Sequence, residues 1–439
     1  MRSLLKSIIV GILTWEASLV LRRYKPEIIA ITGSVGKTGT KDAIYCVLKD
    51  STSVRKSQKS FNSELGIPLT VLGLDNAWGN PILWMLNILR GLSLVIFPHA
   101  YPKLLVLEVG ADHPGDIRRA TRWMKPDIAV ITRLPDHPVH VEYFSSPEEV
   151  RKEKGELVKA LGDRGIFVAN SDDEYVHELR TKTKARTITY GISEEAQVRG
   201  SYIQINNEEV AGKARPVGML LRVDWDGNSF PVRLNGVLGI QPCMAALAAI
   251  AVGIARGESV MRMSEALSTL TPPRGRMRVL PGVHGSVIID DTYNSSPVAV
   301  LAALETLHSV EKMRKIALLG DMLELGEFSV EEHERVGVAA AKVVDELVTV
   351  GKRARIIAEA AKAAGLSEKH IHHFASSEEA GDWVLAHVTS EDIVLAKGSQ
   401  GSGEDMIRME RAVKKILNEP RDAKHLLVRQ EKEWQAQYK

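Results

Sequence analysis

Short aliphatic runs separated by helix-length segments dominate the chain after residue 26. The first series of runs falls at residues 28–31, 104–107, 128–131 and 166–169. A second series falls at residues 287–289, 316–319, 347–350 and 393–396. Each run has the length and composition of a strand buried on both faces. Because strands that alternate with helices form parallel sheets, the pattern predicts two α/β units.

The pattern changes between the two series. Polar and apolar residues alternate from about residue 186 to 234, with Asp226-Gly227 between two such runs, which predicts antiparallel hairpins added to the first unit. An alanine-rich helix is predicted from residue 244 to about 256, and the proline- and glycine-containing segment 271–278 is the expected linker. The domains predicted are an apolar helix at residues 1–26, a central domain at 27–272 and a carboxy-terminal domain with a charged tail at 273–439.

The amino terminus has an unusual composition. Residues 3–21 are almost wholly apolar, interrupted by Lys6 and Glu16. About 20 apolar residues can span a bilayer, but an acidic residue inside a span is costly, and no small-residue cleavage site follows. Three interpretations stay open: a helix packed on the protein's own surface, a helix lying in the membrane interface, and a true span. A second apolar stretch, residues 78–97, predicts an amphipathic helix plus a loop.

Bulk composition narrows the function classes. The chain has 439 residues, of which 44% are hydrophobic and 26% charged, so it is globular, with about three domains expected from its length. A net charge of +2 and an aromatic share of 5% make nucleic acid a poor partner. The two cysteines, Cys46 and Cys243, are too few for a disulfide framework or a cysteine zinc site. An unbridged pair suits a reducing cytoplasm.

The strongest chemical pattern is a glycine-rich loop between a predicted strand and a predicted helix. Glycines let backbone N–H groups turn toward phosphate, a lysine brings positive charge to the β/γ-phosphates, and a threonine hydroxyl can ligate Mg²⁺. The spacing is GxxGKT, shorter than the general phosphate-loop pattern. A tight turn is the alternative, but the strand–loop–helix setting favours nucleotide binding. The residues of the loop are Gly33, Ser34, Val35, Gly36, Lys37 and Thr38.

Other candidates are weaker when judged by spacing alone. Glu108 directly follows an aliphatic strand, and a carboxylate at a strand's carboxyl end beside a phosphate loop is placed to hold Mg²⁺. The alternative for Glu108 is a solvated loop residue. His140 lies in a polar loop, where a lone histidine is more often solvated than a ligand. Lys154 lies in the run RKEK, which by itself favours a solvated helix lysine.

Seven blocks, together with the phosphate loop, resemble the Mur ligases of cell-wall precursor synthesis, over residues 27 to about 415. The resemblance implies a central P-loop ATPase domain with a parallel sheet and a β-rich insert, followed by a Rossmann-like α/β domain. It also implies ATP-dependent amide ligation through an acyl phosphate, with a nucleotide-linked muramoyl-tripeptide and D-alanyl-D-alanine as substrates. The blocks are FNSELGIPLTVL, LEVGADHPGDI, HVEYFSSPEEVRKEKGEL, GRM, IDDTYNSSP, LLGDMLELGEFSVEEH and LAKGSQG.

The resemblance also implies roles for individual residues. Thr38 and Glu108 would hold one Mg²⁺, and His140 would help to hold a second. Lys154 would be carbamylated, which makes it an anion beside the metals, and Arg276 would reach the phosphates from the linker. The carboxy-terminal domain would add Asp291, Tyr293 and Asn294 to the nucleotide pocket. The substrate-binding positions would be Asn62, Ser63, Asp321, Glu324, Lys397 and Ser399.

The chain departs from the family pattern in four respects. The family's GxHNxxN motif is replaced by GIQPCMA at residues 239–245. Ser63 and Arg133 each occupy a position where the family has an asparagine. The phosphate loop begins at residue 33, which leaves no room for the amino-terminal domain that grips UDP in this family. A lipid-linked acceptor and a non-catalytic nucleotide-binding partner protein are therefore kept as alternatives. We expect a cytoplasmic monomer, with peripheral membrane contact through residues 3–21 left open.

Overall fold

Two sheets organise the protein. The computed structural model describes residues 2–58, 61–138, 141–210, 212–401, 406–431 and 434, with side chains from residue 6 onward. The first sheet has nine strands in the order β2-β3-β1-β4-β5-β6-β7-β8-β9. These are β1 Glu27–Thr32, β2 Val54–Lys56, β3 Leu104–Glu108, β4 Ile128–Ile131, β5 Ile166–Asn170, β6 Arg186–Gly191, β7 Val198–Val210, β8 Lys213–Trp225 and β9 Asn228–Asn235.

Helices cover both faces of the parallel part of this sheet, which is why its strands are continuous apolar runs. Strand β1 is buried at five successive positions, whereas β9 alternates between buried and exposed residues because one of its faces meets water. The helices are α1 Arg2–Tyr24, α2 Lys37–Leu48, α3 Gly66–Leu72, α4 Pro81–Ile96, α5 Asp116–Thr121, α6 Pro147–Lys159, α7 Glu174–Leu179, α8 Ile240–Ala255 and α9 Val260–Ser268.

The hairpin prediction is right for β7 to β9 and wrong for β6. Strand β6 pairs in parallel with β5, and α7 lies in the crossover between them. Its side chains Ile188 and Tyr190 are buried in the main core, so β6 continues the parallel sheet. The hairpin from β8 to β9 turns where expected: Asp226 and Gly227 both have positive φ, of 48° and 74°, as the two-residue turns of hairpins require.

The second sheet has six strands in the order β10-β11-β15-β12-β13-β14, all parallel except β10. The sequence pattern missed β2, β10 and β14, which are short strands at sheet edges. The predicted linker lies between α9 and β10. The strands are β10 Arg278–Pro281, β11 Val287–Asp291, β12 Arg314–Gly320, β13 Glu346–Val350, β14 Ile371–Phe374 and β15 Asp392–Lys397. The helices are α10 Pro297–Ser309, α11 Ser329–Ala341, α12 Ala354–Ala363, α13 Ser377–His387, α14 Glu410–Ile416 and α15 Ala423–Leu426.

Helix α1 packs on the protein's own surface, the first of its three interpretations. It buries Leu13, Ala17 and Val20 in a core shared with α3 and β3. Within the described residues, no helix is long and apolar enough to cross a membrane. The predicted helix α4 is present and starts where Asn80 accepts hydrogen bonds from two backbone N–H groups. Its exposed side is nevertheless apolar, so the prediction of an amphipathic helix is wrong.

Candidate nucleotide and ligase site

The glycine-rich loop has the backbone geometry of an anion site. Gly33 and Gly36 have φ of 143° and 88°, in the region that favours glycine. A β-carbon on Gly33 would collide with Thr132, so this position also needs glycine for space. Gly36 occupies the N-cap position of α2 and has no side chain to cap it. The first N–H groups of α2 are therefore left to an anionic ligand.

Lys37 begins α2 and is folded back into the loop. Its Nζ donates a hydrogen bond to Gly33 O at 2.8 Å. Burial lowers the pKa of Lys37; Glu108 opposes this shift, and Arg276 adds to it. The ammonium group is thus held beside the loop by a neutral carbonyl, and an anionic ligand in the loop would supply the charge that favours its protonated form.

Glu108, at the carboxyl end of β3, connects several groups of the site. Thr38 Oγ1 donates to Glu108 Oε2 at 3.1 Å, and Asn62 Nδ2 donates to Oε1 at 3.1 Å. Lys41 Nζ lies 3.6 Å from Oε2, and the Glu108 backbone N–H donates to Ser57 Oγ. The Glu108 side chain is 1% exposed. The alternative interpretation of Glu108 as a solvated loop residue is therefore wrong.

The oxygens of Thr38 and Glu108 fit a magnesium ion shared with nucleotide phosphates. Mg²⁺ is usually held by one or two carboxylates together with substrate phosphates, and here a hydroxyl and a carboxylate lie 3.1 Å apart beside the phosphate loop. Among the residues that the structure describes, no three His, Cys, Asp or Glu side chains are grouped to hold a metal ion. His140, the predicted ligand of a second ion, lies outside the described residues.

Lys154 is buried, although the charged run RKEK favours a solvated lysine. It lies on α6 with 1% of its surface exposed, and its Nζ donates to Gly33 O at 3.3 Å. Burial and the nearby Lys37 lower the pKa of Lys154 to about 7, and Asp112 and Glu153 oppose the shift. A substantial fraction of this amine is therefore unprotonated near neutral pH, which is the form that reacts with CO₂.

The carboxy-terminal domain supplies the opposite wall. Lys397 Nζ forms an ion pair of 2.6 Å with Asp291 and donates to Asn294 O at 3.0 Å. The Arg276 guanidinium stacks over the Tyr293 ring, 4.1 Å from its centroid. The linker arginine is thus held at the cleft by a residue of the second domain, and the structure brings together these five predicted residues.

Two cavities adjoin the phosphate loop. The narrower, of about 120 Å³, lies between the loop and the carboxy-terminal wall. Gln241, at the start of α8, lines both cavities, while its neighbours Pro242 and Ala245 bring no polar group. Lining residues of the narrow cavity include Ser34, Val35, Gly36, Thr38, Gln241, Arg276, Asp291, Asn294 and Lys397. The larger cleft, of about 1050 Å³, includes Arg133, Asn170, Gln204, Lys312 and Arg335 among its lining residues.

Three of the predicted substrate-binding positions make local hydrogen bonds, and a fourth has an unusual backbone conformation. Asp321 Oδ1 accepts a hydrogen bond from Ala354 N at the start of α12, at 2.6 Å. Ser399 Oγ accepts from Leu323 N and donates to Ser295 O. Ser63 Oγ accepts from Gly66 N in the turn before α3. Glu324 has a positive φ of 63°. The role of these four residues toward a substrate stays a prediction.

Sequence reasoning missed three features of the site. Lys41 lies four residues after Lys37 and thus on the same side of α2, a spacing that could have revealed it. Asp112 interacts electrostatically with both Lys37 and Lys154. His137 of the central domain contacts Glu332 of α11 at 2.6 Å; no local pattern links these two segments, which are 195 residues apart.

Comparison with known proteins agrees with this geometry. The model of the Mur ligase middle domain matches residues 31–252, and that of the Mur ligase glutamate ligase domain matches residues 275–400. The chain is similar to UDP-N-acetylmuramoyl-tripeptide–D-alanyl-D-alanine ligases from two bacteria. The Mycobacterium tuberculosis enzyme is 33% identical, covering 86% of this chain and 71% of the relative. The Bacillus subtilis enzyme is 28% identical, covering 92% and 79% respectively.

A solved structure extends the comparison to three dimensions. The MurF ligase of Thermotoga maritima in complex with ADP superposes with a TM-score of 0.73 and 25% identity, covering 92% of this chain and 83% of that one. The similarity therefore spans both sheets and the linker between them.

Proposed function

The chain belongs to the Mur ligase family, and from this premise we propose that it is an ATP-dependent amide ligase of peptidoglycan precursor synthesis. It joins D-alanyl-D-alanine to the terminal carboxylate of a UDP-muramoyl-tripeptide. The observation that carries the proposal is the grouping of Lys37, Glu108 and Lys154 around the phosphate loop, which faces Arg276 and the Asp291–Lys397 pair across a cavity.

A free carboxylate has no good leaving group, so it must be activated before an amide can form. A carboxylate oxygen of the tripeptide attacks the γ-phosphorus of ATP, and ADP leaves, which gives an acyl phosphate. The unprotonated amine of D-alanyl-D-alanine then attacks the acyl carbon. The tetrahedral intermediate loses its amine proton and expels inorganic phosphate as the amide forms. Negative charge is spread over the γ-phosphoryl oxygens during the first step, so that step needs fixed positive charge.

Two cations of this chain meet that need from opposite sides. Lys37 lies at the loop, and Arg276 enters from the linker, where Tyr293 supports it. Thr38 and Glu108 would hold Mg²⁺, which neutralises phosphate charge when bound. Because Arg276 packs against the carboxy-terminal domain, the relative position of the two domains determines whether both cations reach the same phosphate.

Lys154 has the environment that carbamylation requires. An amine must be unprotonated to attack CO₂, and burial beside Lys37 favours the unprotonated form. The carbamate formed is an anion, so it would be stabilised by the neighbouring Lys37. A second Mg²⁺, held by His140 and the Lys154 carbamate, is part of the proposal.

A second candidate keeps this chemistry with a lipid-linked acceptor. The apolar side chains exposed on α1 and α4 favour it, and peripheral membrane contact through residues 3–21 belongs to the same proposal. Whichever acceptor is used, we propose a monomeric enzyme of the cytoplasm.

The test is phosphate release from ATP by the full chain. Release that requires both UDP-muramoyl-tripeptide and D-alanyl-D-alanine, with the amide product identified by mass spectrometry, supports the first candidate. Release only with a lipid-linked muramoyl-tripeptide supports the second. Lys37→Ala should lower turnover by about 100-fold or more, since it removes transition-state charge stabilisation. Lys49→Ala, at the exposed end of α2, is the matched control. ATP binding without turnover on any carboxylate acceptor would contradict ligase function.

A further inference from the structure

The outward side of helix α4 is a continuous apolar surface. Its exposed residues repeat at helical spacing and lie on one side of the helix. Ile82 is 64% exposed, and Phe97, directly after the helix, is 59% exposed. The sequence of α4 contains no acidic residue, and its one charged residue is Arg90. The exposed apolar residues of this side are Ile82, Leu83, Met85, Leu86, Leu89, Ile96 and Phe97.

The opposite side of α4 is fixed to the protein, so the apolar surface cannot be hidden by rotating the helix. Asn87 is buried and donates a hydrogen bond to Asp75 O at 2.8 Å. Gly91 is buried against Glu16 of α1, and a β-carbon there would collide with the Glu16 carboxylate. Arg23 donates to the carbonyl of Ile96 at 3.1 Å. These contacts hold α4 from Asn87 to its end at Ile96.

Helix α1 extends this surface. Glu16 of α1 lies at Gly91, and Arg23 lies at the end of α4, so the two helices run side by side in the same direction. Trp15 is 57% exposed on α1, and Ile8 is also exposed. We call the outward sides of α1 and α4 together the α1–α4 face.

Charge identifies the occupant of this face. Arg22, Arg23 and Lys25 are exposed where the two helices end together, and Arg90 is exposed on α4. Glu16 is the only acidic residue in the sequences of the two helices, and it is buried. The nearest acidic neighbours along the chain, Glu27 and Asp75, lie outside the two helices. Glu27 pairs with Arg256, and Glu64 pairs with Lys6 at 3.1 Å. An apolar face flanked by cations is complementary to a surface with an apolar interior and anionic groups.

We propose that the α1–α4 face docks onto a lipid bilayer that contains anionic headgroups. The apolar side chains of α4 and Trp15 would enter the boundary between headgroups and acyl chains, and the cations would remain among the headgroups. A second copy of the chain is a poorer occupant, because its own face offers the same cations and no exposed carboxylate. The ligase would thus contact the membrane chiefly through α4, in addition to the contact through residues 3–21.

The experiment is co-sedimentation of the full chain with vesicles, without detergent. Vesicles of phosphatidylcholine alone are compared with vesicles that also contain phosphatidylglycerol. The full chain should sediment with the anionic vesicles, and Leu86→Glu with Leu89→Glu should weaken this binding by about tenfold or more, because two charges would have to enter the apolar layer. Arg22→Gln with Lys25→Gln should reduce the preference for anionic vesicles. Met261→Glu and Val338→Glu, at exposed apolar positions of α9 and α11, are controls that should bind normally.

The outcomes separate docking from ligation. Equal sedimentation of the full chain and the Leu86→Glu/Leu89→Glu variant, or none for either, would overturn the proposal. A third outcome is that the unaltered chain does not bind vesicles but self-associates in analytical ultracentrifugation, and that this variant abolishes the self-association. That result would assign the face to a second copy and would also overturn the proposal. Because phosphate release is measured without vesicles, loss of the proposed ligase function would leave the docking result standing, and the reverse also holds.

Discussion

A buried carboxyl group in the seam between α1 and α4 makes stability depend on pH. Glu16 is 1% exposed, and its Oε2 has no hydrogen-bond partner within the described part of the chain. Burial raises its pKa from 4.5 to about 7. The folded protein therefore holds this proton more tightly than the unfolded chain does. The associated stability is fully present below pH 4.5 and is lost as the pH rises through about 7.

Glu16→Gln tests this reasoning, because glutamine has nearly the same shape and does not titrate. A pKa rise from 4.5 to about 7 converts to at most about 2.5 kcal/mol of stability lost between pH 5 and pH 8. Local relaxation of the structure around the ionised carboxylate reduces this figure, and we expect about 1 to 2 kcal/mol. Any constant cost of burying the amide cancels when the two pH values are compared. The stability of the variant relative to the natural chain should therefore increase as the pH rises.

Thermal unfolding at pH 5, 6, 7 and 8 is the assay. For a domain of this size, 1 kcal/mol corresponds to about 2 to 4 °C in Tm, so the Tm difference between variant and natural chain should change by about 2 to 8 °C across the range. Glu265→Gln, at an exposed position of α9, is the control and should show a constant difference. A Tm difference for Glu16→Gln that stays constant from pH 5 to pH 8 would refute the assignment of a protonated carboxyl group in the seam.

Two further predictions concern the site. Lys154→Arg keeps a cation but cannot form the carbamate, so it should lower the rate of ligation by about 100-fold or more. Carbon-13-labelled bicarbonate should give a carbamate NMR signal with the natural chain and not with the variant. Full activity of the variant would exclude the carbamate. Gln241→Ala should raise KM for ATP about fivefold, the equivalent of one hydrogen bond, with kcat nearly unchanged; an unaltered KM would place nucleotide recognition elsewhere, and Gln204→Ala in the larger cleft is the comparison.

The parts of the site that the sequence predicts best are those set by local geometry. The phosphate loop needs glycines at particular positions of one short segment, and Glu108 follows its strand directly, so both can be found from neighbouring residues. The burial of Lys154 depends on packing against a loop 121 residues away, and the charged run around it conceals this. The predicted pairing of strand β6 is wrong for a related reason. Alternation indicates a half-exposed strand but does not identify its partner.

The surface of α4 shows a second limit of periodicity. The sequence indicates which residues share a side of a helix, but a helix that is apolar on all sides gives no preferred inward face. Here the buried polar residue Asn87 and the glycine at position 91 determine the inward side, through a hydrogen bond and a close approach to Glu16. A largely apolar side is consequently left outward, which differs from the amphipathic helix predicted.

The balance of charge around the phosphate loop connects the remaining observations. Lys41 and Lys154 are buried and Lys37 is half-buried, close to the Glu108 carboxylate or to the loop itself. Burying several cations close together is unfavourable, and burial beside Lys37 lowers the pKa of Lys154 to about 7. Carbamylation of that amine adds an anion, and a nucleotide phosphate adds more, so each would relieve the excess positive charge. The proposed carbamate and the nucleotide phosphates would thus be stabilised by the same three lysines, which lie around the loop, α2 and α6.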